Sequence, residues 1–280
     1  MRVKLWGVRG SIPVPGEAAA GYGGNTPCVG VSAGDGCELI LDAGSGIREL
    51  GAALAGRCRQ VHILLTHLHL DHIQGLTFFA PIFDPAVEVT IWGPPAVGRG
   101  LRERLARFIS NPIFPVEIRE LPARVSFECV PTSPWRVGGV EVSSQLVAHR
   151  GPTLGYRVRA DGASLCYLPD HEPGLGEDLE TADRAWISGH ALAADASLLI
   201  HDCQYADAEY PARRGFGHSR LSDTVVFAKR AGAAHTLLFH HDPGHDDDDL
   251  DALGQQAASK WRHEGALEMA REGRVIELAG

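Results

Sequence analysis

The sequence predicts an α/β (α+β) fold in which two β-sheets pack face to face with helices on the outside. Three observations predict it. Short strand-like runs dominate two portions of the chain, and helical patterns follow each portion. Two-residue turn signals join several of those runs into hairpins. No repeat of fixed period, low-complexity linker or shift in composition divides the chain, so residues 1–280 read as a single domain of two similar halves.

The elements follow in order. MRVKLWGV, PCVGVSA and CELILDA read as strands, the last two joined across Asp35-Gly36, a favoured hairpin turn. GSGIRELGAALAG reads as a helix and QVHILLT as a buried strand. VEVTIWG is another strand. PAVGRGLRERLARFI is a helix with Pro near its start and an apolar stripe of Leu101, Leu105 and Phe108. WRVGGVEVSSQLVAH turns at Gly138-Gly139, and GYRVRADGASLCYLPD at Asp161-Gly162. ASLLIHDCQY and HTLLFHH are strands, with the helix SRLSDTVVFAKRAG between them. A last helix from about Asp247 precedes the strand RVIEL, and the acidic run 246-DDDD-249 complements its positive end.

Composition narrows the function. Hydrophobic residues at 44% and charged residues at 22% are ordinary for a soluble globular protein. The amino-terminal MRVKLWGVRGSIPVPG has no apolar stretch long enough for a signal peptide, and nowhere do about 18 apolar residues run together. The expectation is a cytoplasmic protein with no membrane partner. Six scattered cysteines without a CxxC pair then read as reduced thiols. A net charge of −9 argues against a surface that holds long nucleic acids, because neutralising phosphates takes clustered Lys and Arg. The fourteen histidines are the oddity, because they cluster in a few places.

The densest cluster is 67-HLHLDH-72, where the strand 61-VHILLT-66 must turn as it leaves its sheet. His67 and His69 can point one way while Asp71 and His72 serve an adjacent position. Neutral imidazole together with carboxylate suits zinc first, and also Mn or Fe.

THLHLDH resembles the HxHxDH signature of the metallo-β-lactamase superfamily, whose fold is an αββα four-layer sandwich with one or two metals at its edge. The resemblance implies His149 in LVAHRG as the third histidine. It implies Asp170 in YLPDHEP as the carboxylate that bridges both metals, and His240 in LLFHH as the last ligand. One site would then take His67, His69, His149 and Asp170. A second would take Asp71, His72, Asp170 and His240, with Asp71 also in the catalytic set. His241 is the competing neighbour of His240; strand alternation from Leu238 favours His240. Asp42 in LILDAGSG matches an Asp that supports the metal loop. His171 and Glu172 could contact substrate or orient a ligand, whereas His190 and His201 read as structural.

Within the superfamily, IHDCQY and GFGHS look like the tRNase Z and PhnP-like phosphodiesterase branch, in which an acidic residue pairs with a histidine. Asp202 and His218 stand at those positions. The expected activity is a dinuclear phosphodiesterase in which a metal-bridging hydroxide attacks phosphorus and His218, paired with Asp202, protonates the leaving alkoxide. True tRNase Z carries a long arm for tRNA between the third histidine and the bridging Asp, but here twenty residues separate His149 from Asp170. The expected substrate is therefore a small, cyclic phosphodiester, with long nucleic acid unlikely as a partner; a homodimer fits this branch. The glycine-rich GVRGSIPVPG and GYGGNTPC could line the pocket mouth, but no GK[ST] makes either a P-loop. Two competing readings are a metal-dependent thioesterase or lactonase, in which His218 is dispensable, and a non-catalytic, metal-stabilised binding module.

Overall fold

Burial alternates along the first strand, β1 (Arg2–Gly7), in the computed structural model, which describes residues 1–33, 37–176 and 178–279. Val3 and Leu5 therefore point into a core while Arg2 and Lys4 face outward, the period-2 consequence of a pleated backbone. The next five strands are β2 (Cys28–Ala33), β3 (Cys37–Leu41), β4 (Gln60–Leu64), β5 (Glu88–Gly93) and β6 (Arg124–Cys129). Then follow β7 (Trp135–Val137), β8 (Val140–Leu146), β9 (Leu154–Ala160) and β10 (Ala163–Leu168). The last four are β11 (Leu198–Asp202), β12 (His235–Phe239), β13 (Ala266–Met269) and β14 (Val275–Glu277).

They form two seven-stranded sheets, ordered β14-β1-β2-β3-β4-β5-β6 and β13-β12-β11-β10-β9-β8-β7. In the first, β3 to β6 run parallel and the remaining pairs antiparallel. The second repeats this, with β10 to β13 parallel and β7 to β10 antiparallel. Side chains of both sheets share one buried cluster: Leu5, Leu41 and Leu64 from the first meet Tyr156, Tyr167, Ile200 and Phe239 from the second. Burying each such side chain contributes about 1.5–3 kcal/mol.

Helices α1 (Ile47–Leu54), α2 (Leu70–Ile73) and α3 (Leu101–Leu105) lie on the outer side of the first sheet. The second is covered by α4 (His190–Ala193), α6 (Leu221–Ala231) and α7 (Asp247–Lys260), with α5 (Tyr210–Arg213) before α6. Asp246 caps α7 in a reciprocal box with Asp249, so the acidic run serves the helix start. None of the described helices is long and apolar enough to cross a membrane.

The turns at Gly138-Gly139 and Asp161-Gly162 join antiparallel partners; Asp161 and Gly162 both take positive φ, as a tight hairpin requires. The Asp35-Gly36 turn lies outside the described residues. The helix expected over PAVGRGLRERLARFI shrinks to Leu101–Leu105, because Gly98 (φ 86°) and an extended Gly100 keep the chain irregular before it. β6 and β13 escape the sequence reading: β6 is an edge strand with little burial, and β13 is four residues long.

Candidate metal centre

Parallel strands send their carboxyl ends to one rim, the usual place for a site in such sheets. β3 leads to Asp42, β4 to Thr66 and His67, β10 to Asp170, β11 ends in Asp202 and β12 leads to His240. The rim thereby collects residues from remote parts of the chain.

Donor atoms of His67, His69, His149 and Asp170 converge in one group, and those of Asp71, His72 and His240 in another. Asp170 stands between them. Its Oδ2 lies 3.6 Å from both His67 Nε2 and His149 Nε2. Its Oδ1 lies 3.0 Å from His72 Nε2 and 3.3 Å from His240 Nε2. Asp71 Oδ2 is 3.3 Å from each of His72 Nε2 and His240 Nε2. With metal–ligand bonds of about 2.0–2.2 Å, neighbouring corners of a coordination tetrahedron stand roughly 3.4 Å apart, which these spacings match.

Two further observations show that the residues fit a cation. His67 Nε2, His72 Nε2 and Asp170 Oδ1 are buried and make no hydrogen bond, although they face one another. Among the described residues, no Lys or Arg pairs with the buried carboxylates Asp42, Asp71 and Asp170, and such uncompensated charge is costly. Burial pushes His67, His69 and His149 below their ordinary pKa, so they are neutral donors. Burial opposes charge on Asp170, but His240, His72 and His67 outweigh it and hold the carboxyl well below its usual range. For His72 burial is outweighed by Asp170, Asp71 and Asp42, which raise it well above the ordinary value, another sign of unmet negative charge.

The outward-facing atoms of the ligand set are held as well. Asp42 accepts from Thr66 N (2.7 Å) and Tyr167 Oη (3.0 Å) and meets His72 Nδ1 at 2.8 Å. Thr66 Oγ1 links His67 Nδ1 (3.0 Å) to the same carboxylate. His149 Nδ1 donates to Gly217 O at 2.7 Å, and His240 Nδ1 donates to Gln204 Oε1 at 3.2 Å. Such partners fix ring orientation and aim the other nitrogen inward.

His218 sits beside the cluster, its Nδ1 2.7 Å from Asp202 Oδ2 and 4.0 Å from Asp170. Asp202 also accepts from the backbone N–H groups of His171, Gln204 and Ser219. Burial drives the Asp202 carboxyl up; His240 and the His171 and Gln204 amides oppose this, and Asp170 adds to it. Burial lowers His218, with Asp170 and Asp71 raising it in part.

Of the two adjacent histidines, His240 enters the cluster and His241 donates to Ala270 O at 2.8 Å. The reason differs from strand alternation: β12 ends at Phe239, and His240 has φ 63°, a left-handed turn that swings its ring to the rim. Neither His171 nor Glu172 joins the donor groups. His171 Nδ1 meets buried His201 Nε2 at 2.9 Å, and its Nε2 meets Ser188 Oγ at 3.1 Å. Glu172 accepts from Tyr210 Oη, Gly215 N and Gly217 N, which clamps the loop that carries His218.

Sequence reasoning missed Thr66, Gln204 and Ser11. Ser11 N donates to Asp71 Oδ2 at 2.8 Å, so the first glycine-rich loop reaches the centre through its backbone. Gly10 is needed there, since a Cβ would stand 2.5 Å from His240 Nδ1. The second loop supports the first: Gly23 O accepts from Arg9 Nε, and Asn25 O from Val8 N and Arg9 N.

Comparisons with known proteins agree with this architecture. The model of a beta-lactamase superfamily domain matches residues 38–241. Ribonuclease Z of Mycobacterium marinum is 29% identical over 308 residues, covering 99% of this chain and 95% of that protein. Ribonuclease Z of Myxococcus xanthus is 26% identical over 281 residues, covering 86% and 88%. Among solved structures, Zn(2+)-bound PqqB of Methylobacterium extorquens has a TM-score of 0.73 at 16% identity, covering 99% of this chain and 100% of its own. A diphosphatase of the PhnP family has 0.71 at 18% (99% and 97%), and human short-form tRNase Z has 0.67 at 22% (99% and 99%).

The relatives overturn one expectation. Proteins named ribonucleases align over nearly the whole chain, so long nucleic acid is not set aside as a partner. Net charge is a sum over the whole surface, whereas phosphate contacts depend on the residues at one face. Matched across most of its length by that family model, and similar within it to ribonuclease Z and PhnP-family proteins, the chain belongs to the beta-lactamase superfamily.

Proposed function

We propose that this protein is a metal-dependent phosphodiesterase that holds two divalent ions across Asp170 and uses His218 as its general acid. The observation that carries the reading is the His218–Asp202 pair, joined at 2.7 Å on the edge of the donor cluster. The ions, zinc being best suited to this set of imidazoles and carboxylates, would neutralise phosphoryl oxygens and make water nucleophilic at neutral pH.

The chain's own residues do the rest. His67, His69 and His149 would hold one ion and Asp71, His72 and His240 the other, with one oxygen of Asp170 facing each group. Asp202 accepts Nδ1–H of His218 and fixes the ring, so Nε2 is the atom that gives its proton to the departing alkoxide. Glu172 keeps His218 in place through the amides of Gly215 and Gly217.

Ribonuclease Z relatives support RNA as a substrate class. A small cyclic phosphodiester is the second reading, favoured by the short connection between His149 and Asp170, where β9 and β10 form a tight hairpin.

The test combines metal analysis with hydrolysis of bis-p-nitrophenyl phosphate, RNA, cyclic nucleotides, a lactone and a thioester. Phosphodiester turnover should exceed the others. On RNA, whose leaving alkoxide needs a proton, His218→Ala should keep its metal while turnover drops about a hundredfold or more. Equal turnover in that variant would remove the general-acid role, and preference for the lactone or thioester would replace the phosphodiesterase reading.

A further inference from the structure

A cavity of about 490 Å³ opens next to His218, within the size range of small-ligand sites. Its walls include Arg150, Tyr205, Arg213, Phe216 and Asp242. His218, the proposed general acid, lies on its boundary.

The lining has two chemical characters. Arg150 and Arg213 are exposed, and among the described residues neither is paired with a carboxylate. Each guanidinium lies over a ring, Arg150 at 5.5 Å from the Phe216 centroid and Arg213 at 5.5 Å from that of Tyr205. Arg150 is also anchored, its Nε donating to Gly215 O at 2.8 Å. Asp242 is already engaged, since its carboxylate accepts from Gly244 N and Gln204 Nε2. Phe216 is 49% exposed and sits between two glycines, so part of its ring is open to solvent. Available positive charge beside an open ring complements a ligand with a phosphate and a planar base.

We propose that this cavity seats a nucleotide of the leaving strand, with Arg150 and Arg213 taking a phosphate beyond the scissile one and Phe216 stacking against its base. The assignment rests on the phosphodiesterase reading. It adds that the enzyme selects for a nucleotide rather than for any good leaving group.

The metal-loaded enzyme is assayed on a short oligoadenylate and on bis-p-nitrophenyl phosphate, which lacks the second phosphate and the base. Arg150→Ala combined with Arg213→Ala should lower the ratio of kcat/KM, oligoadenylate over bis-p-nitrophenyl phosphate, by about thirtyfold or more. The log–log salt dependence should become shallower by about 0.7, the share of one single-strand phosphate contact. Phe216→Ala should lower the ratio about tenfold and Phe216→Trp should restore it. Equal proportional losses on both substrates, or an unchanged salt slope, overturn the proposal. Should the wild type cleave neither substrate, the phosphodiesterase reading fails by itself. Equilibrium dialysis of AMP against the metal-loaded wild type and the double arginine variant then decides the cavity: weaker binding to the variant supports it, and equal binding overturns it.

Discussion

Replacing Glu172 with glutamine tests how the His218 loop is held. The carboxylate is 1% exposed and accepts Tyr210 Oη at 2.8 Å and Gly215 N at 2.7 Å on Oε1, and Gly217 N at 2.8 Å on Oε2. An amide has one acceptor oxygen, so in Glu172→Gln its NH₂ must face at least one backbone N–H. Losing a hydrogen bond to a charged group and leaving a donor buried together cost about 3 kcal/mol. Unfolding entropy of roughly 2.1 cal/mol/K per residue then implies a Tm lower by about 5 °C for a chain of 280 residues. The effect should reach the centre, because Gly217 O holds His149 Nδ1 at 2.7 Å. Loss of such an outer partner lowers metal affinity or activity about ten- to a hundredfold. Calorimetry, metal titration and turnover together read the outcome. Tyr210→Phe, which removes only one donor to the carboxylate, should cost about 2 kcal/mol. A Glu172→Gln protein that is less stable but binds metal and turns over like the wild type would falsify the clamp.

Two other perturbations have firm signs. Asp42→Asn keeps shape and tolerates the φ of 59° at that position, but it removes the charge opposite His72 Nδ1. Metal affinity, measured by chelator competition, should fall about ten- to a hundredfold, and an unchanged affinity sinks the assignment. Burial holds His201 down to about 4, against roughly 6.5 for a free imidazole. Between those values the unfolded chain binds a proton that the folded one refuses. Stability should therefore fall as pH drops through that window, by up to about 1.4 kcal/mol per pH unit. Urea unfolding at pH 7 and pH 5 should show this slope in the wild type and less of it in His201→Gln; identical slopes would refute the linkage.

Much of the architecture was legible because it is written in local patterns. Hairpin turns need particular residues, so Gly138-Gly139 and Asp161-Gly162 announce antiparallel pairs. Strands buried on both faces, such as β4 and β10, stand out as apolar runs. The edge strand β6 and the short β13 lack that contrast, and two glycines eroded the helix before Leu101. Crowding of donors in 67-HLHLDH-72 is likewise a property of one short segment. By contrast, the role of Glu172 depends on backbone amides more than forty positions away, which no spacing rule reaches.

The sequence by itself determined which strand ends carry imidazoles and carboxylates and that two sheets pack with helices outside; that these ends meet at one edge was implied by the resemblance to the metallo-β-lactamase superfamily. Only the tertiary structure decided that the two oxygens of Asp170 face different donor groups and that His240 turns inward while His241 binds Ala270 O. It alone brought Ser11 N to Asp71 across the rim. The physical reason is that periodicity sets the face on which a side chain lies. The meeting of residues as distant as Asp71 and His240 depends instead on how packed sheets and left-handed turns aim the loops between them.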